Sequence, residues 1–166
     1  MRVIGIDPGT RHLGWGVLQR HGTRIEHVAH GVIDTDTKGT LAERLVQIDE
    51  ALAEILRVHA PSVGAVEGLF YHKDPQAAAK LGHARGVILL RLARQALPIH
   101  EYAPAKVKLA VAGKGSADKA QVAMVMMAVL RLAERPRPDA ADALAIALTH
   151  LNVARFDAAL GRSLGR

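Results

Sequence analysis

The stretch RVIGIDPGT, residues 2–10, decides how the rest of this chain is read. Val3, Ile4 and Ile6 give residues 2–7 the bulk of a short buried strand, and Pro8-Gly9 ends it. At the tip of that strand stands a carboxylate, Asp7. A charge in such a place is costly unless something compensates it.

Downstream, residues 14–20 and 24–34 read as two more strands, with Gly22-Thr23 as the turn between them, so the first three strands are expected to be antiparallel. A helix follows at about 40–60, its stripe formed by Leu41, Leu45, Ile48, Leu52, Ile55 and Leu56, and Pro61 stops it. Residues 63–67 and 98–101 give a fourth and a fifth strand, with a long helix at about 75–96 between them. That helix is rich in small residues, among them Ala77, Ala78, Ala79, Gly82, Ala84 and Gly86, which allow close approach either of the chain's own sheet or of a second subunit. Further helices are expected near 105–112, at 117–134 with Ser116 as N-cap, and at 139–154. The fold class implied is α/β: a mixed five-stranded sheet flanked by helices on both faces. Residues 1–154 are expected to form a single domain and residues 155–166 a short, basic, frayed tail.

Composition narrows the chemistry. The chain of 166 residues has no cysteine, which excludes a disulfide framework, thiolate metal ligation and cysteine catalysis. Apolar residues make up 49% of it, yet there are only one Trp, two Tyr and two Phe, so the core is aliphatic and broad stacking platforms for single strands are disfavoured. Lys and Arg number 22 against 16 Asp and Glu, and a net charge of +6 favours a polyanionic partner, nucleic acid above all. No secretory segment opens the sequence and no run is long enough to span a membrane, which leads to the expectation of a soluble, cytoplasmic protein.

Three further acids share the oddness of Asp7. Glu67 follows the apolar run Val63-Gly64-Ala65-Val66, and Asp139 and Asp142 open the otherwise apolar helix DAADALAIALTHL. Each has an ordinary explanation: Asp139 as an N-cap, Asp142 as a first-turn acid, Glu67 as the partner of an arginine. Two strand tips and one helix start can also converge at one end of a sheet, and four carboxylates in one place need a cation. Without cysteine, a hard ion such as Mg2+ or Mn2+ fits, and two such ions suit phosphodiester hydrolysis.

GIDPGT (5–10), VEGLF (66–70), ALPIHEYAP (96–104), GKGSADKAQV (113–122) and PDAADALAIALTH (138–150) together resemble the RuvC family of bacterial Holliday-junction resolvases, which have an RNase H-like fold. The likeness spans nearly the whole chain, and the D-A-A-D helix following V-E is its most specific element. It implies that Asp7, Glu67, Asp139 and Asp142 are catalytic metal ligands for two Mg2+ ions, with Mn2+ able to substitute. Asp7 would be shared, Glu67 would lie on one side and the helical pair on the other. Phe70 matches an aromatic near the junction centre, and Lys108 and Lys119 match basic residues near the active site. Lys73, Lys80, Arg85 and Lys114 are added as phosphate contacts. The resemblance further implies four-way junction DNA as substrate, a homodimer, and a RuvA–RuvB branch-migration complex as partner, with no membrane and no nucleotide cofactor. The GKGS at 113–116 fails as a phosphate loop, because Lys108 stands where the motif needs its first glycine. His27 and His30, at odd spacing on a strand, are expected to face opposite ways. The rival readings are another RNase H-like nuclease, an actin-like ATPase and a non-catalytic junction binder.

Overall fold

The computed structural model describes residues 1–68, 75–113, 115 and 118–163. Five strands form one sheet: β1 (Arg2–Asp7), β2 (His12–His21), β3 (Arg24–Asp34), β4 (Val63–Glu67) and β5 (Ile99–Tyr102), in the order β3-β2-β1-β4-β5. The first three are antiparallel neighbours, whereas β4 runs parallel to both β1 and β5. The mixed five-stranded α/β class is therefore the one the sequence led us to expect.

Helices α1 (Leu41–His59) and α2 (Pro75–Arg94) cover one face, and α3 (Pro104–Ala112), α4 (Lys119–Leu130) and α5 (Pro138–Ser163) cover the other. Alternation along β1 divides the core. Ile4 and Ile6 pack with Ile48, Leu52, Ile88 and Leu92 on the α1–α2 side, while Val3 packs with Leu144, Ile146 and Leu151 on the α5 side. Helix α5 is apolar on nearly all sides because it is sandwiched between the sheet and α3–α4, and Ala143–Ala147 are all buried.

Two boundaries differ from expectation. Helix α4 is capped by Asp118, whose side chain accepts from the Gln121 amide at 2.8 Å while Gln121 reaches back to the Asp118 amide. This reciprocal box fixes the start at Lys119, and the expected cap Ser116 lies outside the described residues. The helix also stops early, at Leu130, where Arg131 takes a left-handed φ of 52°. In contrast, α5 continues well past residue 154, where the sequence suggested an end, because neither Pro nor Gly interrupts it before Gly161.

Glycine sets the seat of α5. A Cβ at Gly5 would lie 2.1 Å from the Ala143 carbonyl oxygen, and one at Gly14 would lie 1.9 Å from that of Asp139. Gly5→Ala is therefore expected to destabilise the protein by about 1–3 kcal/mol or more, read by chemical denaturation. Midway along α5, the buried His150 has its Nδ1 2.8 Å from the Tyr102 hydroxyl of β5. Burial first, then the charge of His100, lowers its pKa from 6.5 to about 4. The unfolded chain then binds a proton that the native one does not. Stability should be full above about pH 6.5, fall as the pH drops from there to 4, and lose about 3 kcal/mol in all. Acid titration of the melting temperature, compared with His150→Gln, tests this: the variant should have a flatter profile across that window.

Candidate active site at the ends of β1 and β4

β1 and β4 pair in parallel from Val3↔Val63 to Ile6↔Val66, so the next step along both strands sets Asp7 beside Glu67. Period-two alternation decides where they point. Asp7 shares its parity with Val3 and Gly5, and Glu67 with Val63 and Ala65, all on the α5 side of the sheet. Since Gly5 and Gly14 let α5 settle against β1 and β2, its first turns reach the same end.

The result is a cavity of about 220 Å³ lined by Asp7, Glu67 and Asp142, with Lys108 of α3 at its wall and Pro104, Val107, Val122 and Ile146 completing it. All three acids are half-buried. Three of the four expected carboxylates thus meet in one place, together with one of the expected lysines. Asp139, one turn earlier on α5, does not line this cavity. Nor is it the N-cap: the Ala141 amide donates to the Arg137 carbonyl at 2.9 Å, so the helix is capped at Arg137 and Asp139 sits in its first turn.

The donor set is all hard oxygen, which fits a Mg2+-type ion. Among the described residues no three His, Asp or Glu side chains close around an ion by themselves. Such an ion would complete its shell with water and phosphate oxygens.

Other expected contacts are dispersed. Lys80 is exposed on α2, and Arg85 forms an ion pair with Glu101 of β5. Lys119 opens α4, its side chain outside the described residues, as are Phe70, Lys73 and Lys114. Gly113, from the apparent phosphate motif, is the left-handed cap of α3 at φ 71°.

Two features escaped the sequence reading. Arg137 forks onto Asp34, Nη1 to Oδ2 at 2.5 Å and Nη2 to Oδ1 at 2.8 Å, and His12 Nδ1 lies 2.7 Å from the same carboxylate. The network ties the ends of β2 and β3 to the start of α5. Its one sequence signal was an arginine placed directly before Pro138-Asp139. The second is a correction. His27 and His30 do not face opposite ways: His27 Nε2 lies 2.7 Å from His30 Nδ1. The cause is a β-bulge. Val17 pairs with Ala29 but Leu18 with His27, which leaves Val28 unmatched and turns His27 onto the face of His30.

A sheet of this order, with acids at two adjacent strand tips and on the helix that crosses them, defines an RNase H-like nuclease fold. The family model for the crossover junction endodeoxyribonuclease RuvC matches residues 3–150. A RuvC protein of Sorangium cellulosum is 69% identical over 98% of this chain and 91% of its own length. Among solved structures, Thermus thermophilus RuvC in complex with a Holliday-junction substrate is 39% identical, with a TM-score of 0.87 over 95% of this chain and 96% of that one. The yeast mitochondrial Holliday-junction resolvase Ydc2, at 14% identity and a TM-score of 0.64 over 89% of this chain and 76% of that one, shares the fold. The chain belongs to the RuvC family of crossover junction endodeoxyribonucleases. It is a DNA endonuclease with an RNase H-like fold.

The Asp34 network yields a direct check. Arg137 first, then His12, holds the Asp34 carboxyl well below the usual carboxylate range. In a carboxyl-carbon NMR titration Asp34 should stay ionised in acid that protonates ordinary aspartates. Arg137→Gln should move its midpoint up toward 3.8, and a midpoint indifferent to that substitution would contradict the network.

Proposed function

We propose that this chain resolves four-way DNA junctions by paired symmetric nicks, using Asp7, Glu67, Asp139 and Asp142 as its catalytic carboxylates. The observation that carries the reading is the meeting of Asp7, Glu67 and Asp142 with Lys108 in one cavity. Two Mg2+ ions, or Mn2+ in their place, held by Asp7 in common, by Glu67 on one side and by the α5 aspartates on the other, would supply an activated water and stabilise charge on the departing oxygen. The protein's own groups do the remainder. Lys108 offers its ammonium to a non-bridging phosphate oxygen where negative charge gathers. Val107, Val122 and Ile146 restrict water around the acids, which strengthens every charge interaction there. Water attacks phosphorus in line, the bond to the 3′ oxygen breaks, and the products carry 5′-phosphate and 3′-hydroxyl ends.

One such cavity makes one nick. A four-way junction can be two-fold symmetric, so two matched nicks require a homodimer with C2 symmetry. Helix α2 offers a surface for it: Ala84, Ile88 and Leu92 are buried against the chain's own core, while a Cβ at Gly82 or Gly86 would meet nothing within 4 Å. Lys80, on that helix, and Phe70, Lys73, Lys114 and Lys119 are assigned to junction contact, and Arg85 to a supporting contact through its pair with Glu101. Residues 1–154 constitute the nuclease unit, with 155–166 as a basic extension. The enzyme works in the cytoplasm and couples to a RuvA–RuvB branch-migration complex. No helix among the described residues is long and apolar enough to cross a membrane.

Incubation of a mobile synthetic junction with Mg2+ should give paired nicks at symmetric positions, with duplex and RNA–DNA hybrid substrates cut far less. Asp7→Asn should lower the cleavage rate more than about 100-fold while leaving junction affinity within about twofold. Normal cutting by that variant would remove the carboxylate argument, and scattered single nicks by the native protein would favour a general nuclease.

A further inference from the structure

A second concavity is larger than the acidic one. A cleft of about 1200 Å³ lies between β3 and the segment joining α4 to α5. Arg24, His27 and His30 line it from the strand, and Arg131, Arg135 and Arg137 from the connecting segment. Glu26 and Glu134 also line it, so four guanidinium groups face two carboxylates. Arg137 is spoken for by Asp34, but among the described residues Arg24, Arg131 and Arg135 are in no ion pair, and all three are exposed.

We propose that this cleft is a second phosphate-binding surface, which holds the backbone of a junction arm beyond the scissile phosphate. The proposal rests on the endonuclease reading and extends it to the path of the substrate. Three observations point the same way. The cleft is open and exceeds the roughly 300–1,000 Å³ usual for small-molecule sites, which suits a polymer. Its free cations are arginines, whose planar forks match phosphate oxygens. It also lies near the acidic cavity, across the first turns of α5: Ala140 lines the cleft and Asp142, two residues on, lines the cavity on another side of the helix. An edge strand such as β3 can instead accept a peptide strand, but three arginines outside any ion pair, against two carboxylates, favour a polyanion over a neutral backbone. The bulge at Val28 contributes by bringing His27 and His30, hydrogen-bonded to each other, to the wall of the cleft together.

The test compares two doubly substituted proteins that lose the same charge. Arg24→Gln with Arg135→Gln empties the cleft of two cations; Arg131 is left alone because it caps α4 in the left-handed conformation. Arg44→Gln with Arg57→Gln removes two from α1. Binding to a synthetic four-way junction is measured without divalent metal across a range of salt. The cleft variant should bind about tenfold more weakly near 0.15 M salt, and its slope of log Kd against log salt should fall by about two. The α1 variant should keep the native slope. No change in the cleft variant, or equal losses in both, overturns the proposal. As a second measurement independent of the two double variants, Glu134→Cys places the single thiol of a chain without cysteine at the cleft for a photo-crosslinker. Crosslinks should fall on an arm several nucleotides from the nick, and their absence counts against the proposal. Cleavage by the native protein is followed in parallel, so that a failed endonuclease reading is told apart from a misplaced arm.

Discussion

Everything at the working end of this molecule depends on backbone meeting backbone where α5 crosses β1 and β2. Gly5 and Gly14 leave no side chain between strand and helix, and Gly16 makes room for the Leu144 side chain. A helix carrying this many small apolar residues can lie flat on a sheet only if the sheet gives way beneath it. Because it does, the first turns of α5 end level with the tips of β1 and β4. The carboxylates are then neighbours by construction, with no loop needed to bring them together. Rigid elements hold a site more tightly than loops do, which is what chemistry requiring sub-ångström placement demands.

The electrostatic design follows from that placement. A basic protein concentrates acids in one small cavity and distributes arginine and lysine around it. Acids brought this close disfavour one another's ionisation, and the surrounding positive charge attracts a polyanion to the same end of the molecule. The Asp34–Arg137–His12 network sits at the border of the two regions and satisfies charge there without adding to either.

Much of this was legible in the sequence because its signals were local. Asp7 and Glu67 stood out as charges at the ends of buried strands, and the parity that carries Gly5 carries Asp7 to the same face. The apolar run after Asp142 could only be a buried helix. What was illegible depended on partners far away in the chain. Nothing in His27-x-x-His30 announces that one residue between them loses its pairing, since the bulge is a property of two strands. The start of α4 was misplaced because its cap is set by the reciprocal contact of Asp118 with Gln121, a pairing that the reading from spacing passed over. Asp139 was grouped with Asp142 by their spacing and by the family likeness; of the two, Asp142 lines the cavity, while the Asp139 carbonyl lies against Gly14.

The parallel pairing of β1 with β4 has one more implication. The acids at positions 7, 67 and 142 come from a strand, a second strand added only after a helical crossover, and a helix near the far end of the chain. A one-residue slip of β4 would send Glu67 to the opposite face. No fragment of the polypeptide emerging from the ribosome, and no misregistered conformer, holds the three together. The acidic cavity is therefore conditional on the whole fold: it exists only when both parallel strands are in register and α5 is seated on them.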